Sequence, residues 1–277
     1  MGEALTRELV NRGWFVAMAD LKPNDDLLKD LGSSTSYHYT DVASYSSQAS
    51  TFDAVYRTHG RIDALLANAG ITDQSSLYIF RYRSSDTIPP APNLSCTDVD
   101  WKGVVYGTQL AIHFMRKNEP KPGGVIVATA SIAGIHPHST YAEYNGAKAA
   151  VINFVRGVAP VLHLKENIRI NCVLPGIVHT KIIPPQLVNA VNPAYMTPIS
   201  TITDAYCKFL DNENAVGQAV ECSAEKQIPF SDPPMLNGPT TKRAVTVWEP
   251  LFRMMHGEDS GLSTAIPGED IEFKAGS

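Results

Sequence analysis

Cysteine is scarce and poorly spaced for metal or disulfide chemistry. Cys96, Cys172, Cys207 and Cys222 form no CxxC pair and lie in no histidine-rich segment, which argues against a zinc module and a secreted disulfide scaffold. Excess positive charge is also missing. The net charge is −5 and the pI about 5.9, so no basic surface gathers phosphates and nucleic acid is not expected as a partner. No stretch approaches the ~18 consecutive apolar residues of a membrane helix, and the chain opens on a charged amphipathic segment instead of a signal peptide. No internal repeat is visible. What remains is a 277-residue chain, 44% hydrophobic, enough for one good core. The expectation is a cytoplasmic protein with a small-molecule ligand, no membrane and no metal.

Along the chain, helix-period and short apolar segments alternate. Ala4, Leu5, Leu9 and Val10 recur at helical spacing between Gly2 and Arg12, with Gly13 placed as a left-handed cap. Trp14 to Ala19 reads as a buried strand closed by Asp20. An amphipathic stretch follows at Leu27 to Leu31, then an edge strand at Ser36 to Tyr39, a helix from Tyr45 to His59 and a strand from Ile62 to Ala67. Asp73 to Cys96, with Pro89, Pro90 and Pro92, reads as a long loop. Tyr78, Phe80 and Tyr82 in it fit either a pocket wall or a packed edge strand.

Helix resumes at Val99 to Met115, and Val125 to Ala130 is a strand delivering Ser131. Tyr141 to Leu164 is helical and Ile168 to Leu174 a strand. The prolines of Lys181 to Ser200 predict a jointed lid. Ile202 to Leu210 reads as helix and Gly217 to Ser223 as the last strand of the sheet. The tail carries one helical candidate, Ala244 to Met255, interrupted by Pro250, and its final ~15 residues are expected to be poorly ordered. This alternation predicts an α/β fold of three layers around a doubly wound parallel sheet.

The strongest chemical signal is YNGAK. Tyr144 and Lys148 stand four apart, on one face of a helix, so that a phenol and an ammonium reach the same ligand. A free phenol near pKa ~10 moves protons poorly at neutral pH, and a neighbouring cation stabilises its ionised form. Ser131 stands at the carboxyl end of a strand, where open α/β sheets place their ligands. His136, His138 and His179 have no metal-ligand spacing and are assigned no metal role.

On Ser131, Tyr144 and Lys148 together, the sequence resembles the short-chain dehydrogenase/reductase family up to about Ser223. Further matching motifs are Asp20 after the second family strand, Asp41-Val42 after the third, Asn68-Ala69-Gly70, and Pro175-Gly176 with Val178 and Thr180. The stretch from Ser131 to PGIVHT is most similar to the hydroxyprostaglandin dehydrogenase branch. The resemblance implies a Rossmann-like NAD(P)-binding domain over residues 1–228, followed by an extension over 229–277. It implies catalysis by Ser131, Tyr144 and Lys148. Cofactor contacts are implied from Gly2, Asp20, Asp41, Val42, Asn68, Lys102, Tyr144, Lys148, Val178 and Thr180. A carboxylate at Asp20 would accept from a ribose diol and repel a 2′-phosphate, favouring NAD over NADP. The implied reaction interconverts a secondary alcohol and a ketone, within secondary metabolism, in a homodimer or homotetramer.

Two positions depart from the family pattern. Asp100 stands where the family usually has an asparagine that holds a proton-relaying water, and an ionised carboxylate accepts but does not donate. Of the first strand and its TGxxxGxG loop, only Met1-Gly2 remains to match, so the sheet is expected to lack its usual first strand. Losing about five buried side chains removes on the order of 10 kcal/mol, comparable to a whole domain's stability of ~5 to 15 kcal/mol. The domain is therefore expected not to fold unaided, and the chain either to start at an internal methionine of a longer polypeptide or to be a truly shortened protein that has been repurposed. The alternatives for function are a non-redox isomerase, dehydratase or cyclase using the same acid/base pair, and a catalytically dead scaffold.

Overall fold

The apolar runs that read as strands in the sequence form two separate sheets in the computed structural model, which describes residues 1–268. In the first, α1 (Gly2–Asn11) leads into β1 (Val16–Asp20), and α2 (Asp25–Leu31) crosses to β2 (Thr35–Tyr39). β1 and β2 pair in parallel from Val16↔Thr35 to Asp20↔Tyr39. α3 (Tyr45–His59) then returns the chain to β3 (Ala64–Ala67). Ser44 caps α3 by accepting from the Ser47 amide, and Gly60 closes it in a left-handed conformation, which a residue without Cβ adopts freely.

The second sheet holds five strands in the order β3-β4-β5-β6-β7. The chain reaches it through a one-turn α4 (Ser95–Thr97), a π-turn over Asp98–Lys102 and α5 (Gly103–Met115). β4 (Gly124–Thr129), α6 (Ala142–Glu166) and β5 (Ile168–Pro175) follow. α7 (Pro185–Ala190) is one short piece of the proline-rich lid, and α8 (Ile199–Asp211) leads to β6 (Ala219–Ser223). β3 to β6 are parallel, and every residue of β5 is buried. Ile126, Ile168, Ile170 and Leu174 form the core with Val151 and Val155 of α6 on one face. Val127 and Val173 pack against Ile202 and Tyr206 of α8 on the other. Helices on both faces of a parallel sheet are the three-layer, doubly wound architecture the sequence predicts.

The edges of β1 and β3 that face one another are not hydrogen-bonded. A cavity of about 890 Å³ runs between them, from Asp20 and Asn68 at one end to Phe15 and Asp63 at the other. This is where the sheet lacks a strand, and α1 and β1 hold their places beside the gap.

Two expectations for the C-terminal part are corrected. β6 is not the last strand: β7 (Lys226–Pro229) turns back antiparallel to it through Ala224 and Glu225. That two-residue turn has no Gly or Asn, and Ala224 itself takes the positive φ of 47°, so the usual hairpin signal is missing. Nor does Pro250 interrupt a helix. α9 (Gly238–Val245) ends before it, and Pro250 lies in the first turn of α10 (Glu249–His256), where its missing N–H is not needed. Of the final segment expected to be poorly ordered, Ile266 bridges to Trp248, and residues 269–277 lie outside the described residues.

α6 is long and apolar enough to cross a membrane by length and composition. It packs along β4 and β5 instead, and its apolar face belongs to the core.

Candidate active site

β4 ends at Thr129, so Ser131 emerges at the carboxyl edge of the sheet, 7% exposed. Its Oγ accepts from the Ala133 amide at 3.1 Å, and the Pro175 carbonyl stands 3.5 Å away. The second contact is a long, weak bond from the hydroxyl to that carbonyl, which a ligand oxygen could replace. A short 3₁₀ turn, Ile132–Gly134, then passes tightly over α6. A Cβ at Gly134 would lie 2.7 Å from the Lys148 carbonyl carbon and 2.9 Å from the Ala149 amide nitrogen, so only glycine lets the Ser131 turn lie this close to the helix.

α6 begins at Ala142 without a side-chain cap from its own N-cap residue, Tyr141. Asp73, from the long loop, does that work. One carboxylate oxygen accepts from the Tyr144 amide at 2.8 Å and the other from the Glu143 amide at 3.0 Å, satisfying two orphan donors of the first turn. This fixes the backbone that carries Tyr144. No hydrogen bond within the described residues engages the Tyr144 hydroxyl, and the ring is half-buried. One turn on, the Lys148 Nζ lies 5.4 Å from the Tyr144 ring centroid. Lys148 is 2% exposed and donates to the Thr129 carbonyl at 2.7 Å. Its charge is met by Asp100, 0% exposed, with Oδ2 3.0 Å from Nζ. That contact is an ion pair enclosed on all sides. Burial pushes the Asp100 carboxyl upward, and Lys148 and the Ile71 amide oppose the shift.

The structure thus gathers Ser131, Tyr144 and Lys148 at one edge of the sheet. Of the other predicted positions, Gly2, Asp20, Val42 and Asn68 line the cavity between β1 and β3. Asp20 is exposed at the end of β1 and accepts from the Lys22 amide. Asp41 turns its carboxylate onto the Ala43 amide at 2.9 Å. Val178 is buried against α8. Lys102 is exposed and bound to Asp98 at 2.8 Å, so it does not share the interior with Lys148. Asp73 and Gly134 were missed in the sequence. An Asp just beyond a strand-end Asn-Ala-Gly is a faint capping signal, and its helix lies 70 residues away.

The packed-strand reading of Tyr78, Phe80 and Tyr82 is overturned: Phe80–Tyr82 is a 3₁₀ turn. Tyr78 donates to the Ser139 carbonyl at 2.6 Å and stacks on Phe80, tying the long loop to the segment before α6. Asp73, Cys96 and Glu143 come together as metal-ligand types. Each is already used: Glu143 accepts from the Thr97 amide, Cys96 donates to the Ile71 carbonyl, and burial pushes the Cys96 thiol up.

Polar atoms on this edge are left without partners among the described residues. Asn68 Oδ1 and Thr180 Oγ1 are buried without a hydrogen-bond partner, a costly state for a protein on its own. Asn68 sits at the end of β3 and Thr180 beyond the end of β5, on the same edge as Ser131. The donors and acceptors along this edge fit the polar groups of a nicotinamide dinucleotide.

The family model described as short chain dehydrogenase matches residues 1–187. The chain is 54% identical over 273 residues to the short-chain dehydrogenase/reductase prx6 of Penicillium rubens, covering 96% of this chain and 91% of that one. It is 28% identical over 191 residues to rat 15-hydroxyprostaglandin dehydrogenase [NAD(+)], covering 66% of each. The 3-ketoacyl-(acyl-carrier-protein) reductase of Brucella melitensis, solved with NADH, superposes with a TM-score of 0.69 at 18% identity, over 80% of this chain and 91% of that one. The chain belongs to the short-chain dehydrogenase/reductase family, and is an oxidoreductase of CH–OH and carbonyl groups that uses a nicotinamide cofactor.

Proposed function

We propose that the protein interconverts a secondary alcohol and a ketone on a small molecule, with Tyr144 as the proton carrier. The observation that carries this reading is the placement of the Lys148 ammonium 5.4 Å from the Tyr144 ring, beside the Ser131 turn. In the oxidative direction Tyr144 Oη takes the hydroxyl proton of the alcohol. Ser131 Oγ–H donates to the substrate oxygen and fixes its approach. Lys148 favours the ionised phenol, and the nicotinamide supplies the hydride acceptor. Residues 1–228 are the cofactor-binding unit in this reading, and 229–277 a C-terminal extension.

Asp20 favours NAD over NADP, because an exposed carboxylate at the end of β1 accepts from a ribose diol and repels a 2′-phosphate. Similarity to the rat enzyme, whose name carries NAD(+), supports an NAD lean, and a role in secondary metabolism belongs to the same proposal. A cytoplasmic homodimer or homotetramer belongs to the same proposal. The test is Tyr144→Phe, assayed by NADH-dependent reduction of a panel of bulky ketones and by NADH fluorescence titration. The expected result is a loss of turnover of at least 10²-fold with NADH binding and melting temperature retained. Unchanged turnover would remove Tyr144 from the reaction, and turnover independent of NADH would favour the non-redox reading.

A further inference from the structure

Asp100 is held by three elements at once. The π-turn Asp98–Lys102 directs it inward, the Ile71 amide donates to its Oδ1 at 2.8 Å, and its Oδ2 meets Lys148 at 3.0 Å. Gly70 makes room for it, because a Cβ there would lie 2.9 Å from Oδ2. We propose that Asp100 is the internal counter-ion of Lys148, a positioning residue that spends the ammonium charge inside the protein and thereby sets how readily Tyr144 ionises. The proposal rests on the reading of Tyr144 as the proton carrier.

The physical argument is one of charge balance. A carboxylate and an ammonium, both fully enclosed, attract strongly at 3.0 Å, and the pair presents a dipole to its surroundings in place of a full positive charge. An asparagine at this position would keep an acceptor for the Ile71 amide but leave Lys148 with its whole charge near the phenol. The titratable groups around the pair are Tyr144 and Glu143 on α6, Cys96 on α4, Cys172 on β5, Asp73 on the loop, and Tyr141 where α6 begins. Glu143 and Asp73 are held by backbone amides, and Asp98 and Lys102 neutralise each other on the exposed side. Asp100 is therefore the one carboxylate among the described residues in an ion pair with Lys148.

The experiment is an ultraviolet titration of phenolate absorbance on the free protein, with Tyr144→Phe subtracted to isolate Tyr144. In Asp100→Asn the Tyr144 step is expected at lower pH by about one unit, because a net positive charge favours the phenolate. In a Lys148→Met background the same substitution is expected to move nothing. An unmoved or raised step in Asp100→Asn, or an equal shift without Lys148, would overturn the proposal. Should Asp100→Asn lack a cooperative melt, carboxyl ¹³C NMR of the unaltered chain decides: an ionised Asp100 at neutral pH supports it and a protonated one overturns it. Neither readout needs turnover, so a failure of the oxidoreductase reading would appear separately, as activity retained in Tyr144→Phe.

Discussion

The two sides of the cavity are built to different standards. On the side of β3 to β7, β5 is buried along its whole length and flanked by helices on both faces, and Ser131, Tyr144 and Lys148 are tied into that core. On the other side, β1 and β2 pair only with each other among the described residues, and the carboxyl end of β1, Ala19 and Asp20, is exposed. One region owes its geometry to burial and the other largely to a single strand ladder and the helices beside it. In the proposed reading, Tyr144 and Lys148 therefore rest on the well-packed side, and Asp20 on the side with the open edge.

Paired core truncations would break this comparison most visibly. Ile170 is fully buried at the centre of β5, and Ile170→Ala is expected to cost about 2 to 5 kcal/mol from lost burial and a residual cavity. Met18 lies on β1 and lines the existing cavity. Met18→Ala there removes fewer contacts and is expected to cost below about 1 kcal/mol. Urea unfolding of both variants measures the difference. Equal costs would mean that the β1–β2 pair is as tightly integrated as the rest.

Asp73 sharpens the comparison within the well-packed side, because its whole contribution is local. Asp73→Ala removes both acceptors from the first turn of α6 and is expected to cost about 1 to 2 kcal/mol. Tyr144 loses its backbone anchor, so kcat should fall while NADH affinity holds. A fall in NADH affinity with kcat retained would show instead that the cap serves the fold beyond the helix start.

The same contrast explains what could be read from the sequence. Strong periods identify their elements wherever burial is one-sided and continuous: α3 spans Tyr45–His59 as expected, and β4 and β5 lie where the apolar runs place them. The ordered spacing of Ser131, Tyr144 and Lys148 was legible because helix geometry alone brings the last two together. What was not legible depends on distant partners. The Asp73 cap and the Asp100–Lys148 pair join residues 71 and 48 positions apart. β7 follows a turn that has no Gly or Asn, and α10 begins around a proline that reads as a breaker until its position in the first turn is known.

The smallest expected effect falls on the open side. Asp20 is exposed, with its Oδ1 accepting only from the neighbouring Lys22 amide, so Asp20→Ser should leave the melting temperature unchanged. Its consequence is confined to cofactor choice: removing the carboxylate takes away an acceptor for a ribose diol and the repulsion of a 2′-phosphate. The ratio of NADPH to NADH affinity is expected to rise by on the order of tenfold. Because the site is wet, the shift should shrink as salt is raised from 50 to about 500 mM. An unchanged ratio would place discrimination elsewhere, with Lys22 and Val42 the nearest remaining candidates along the cavity wall.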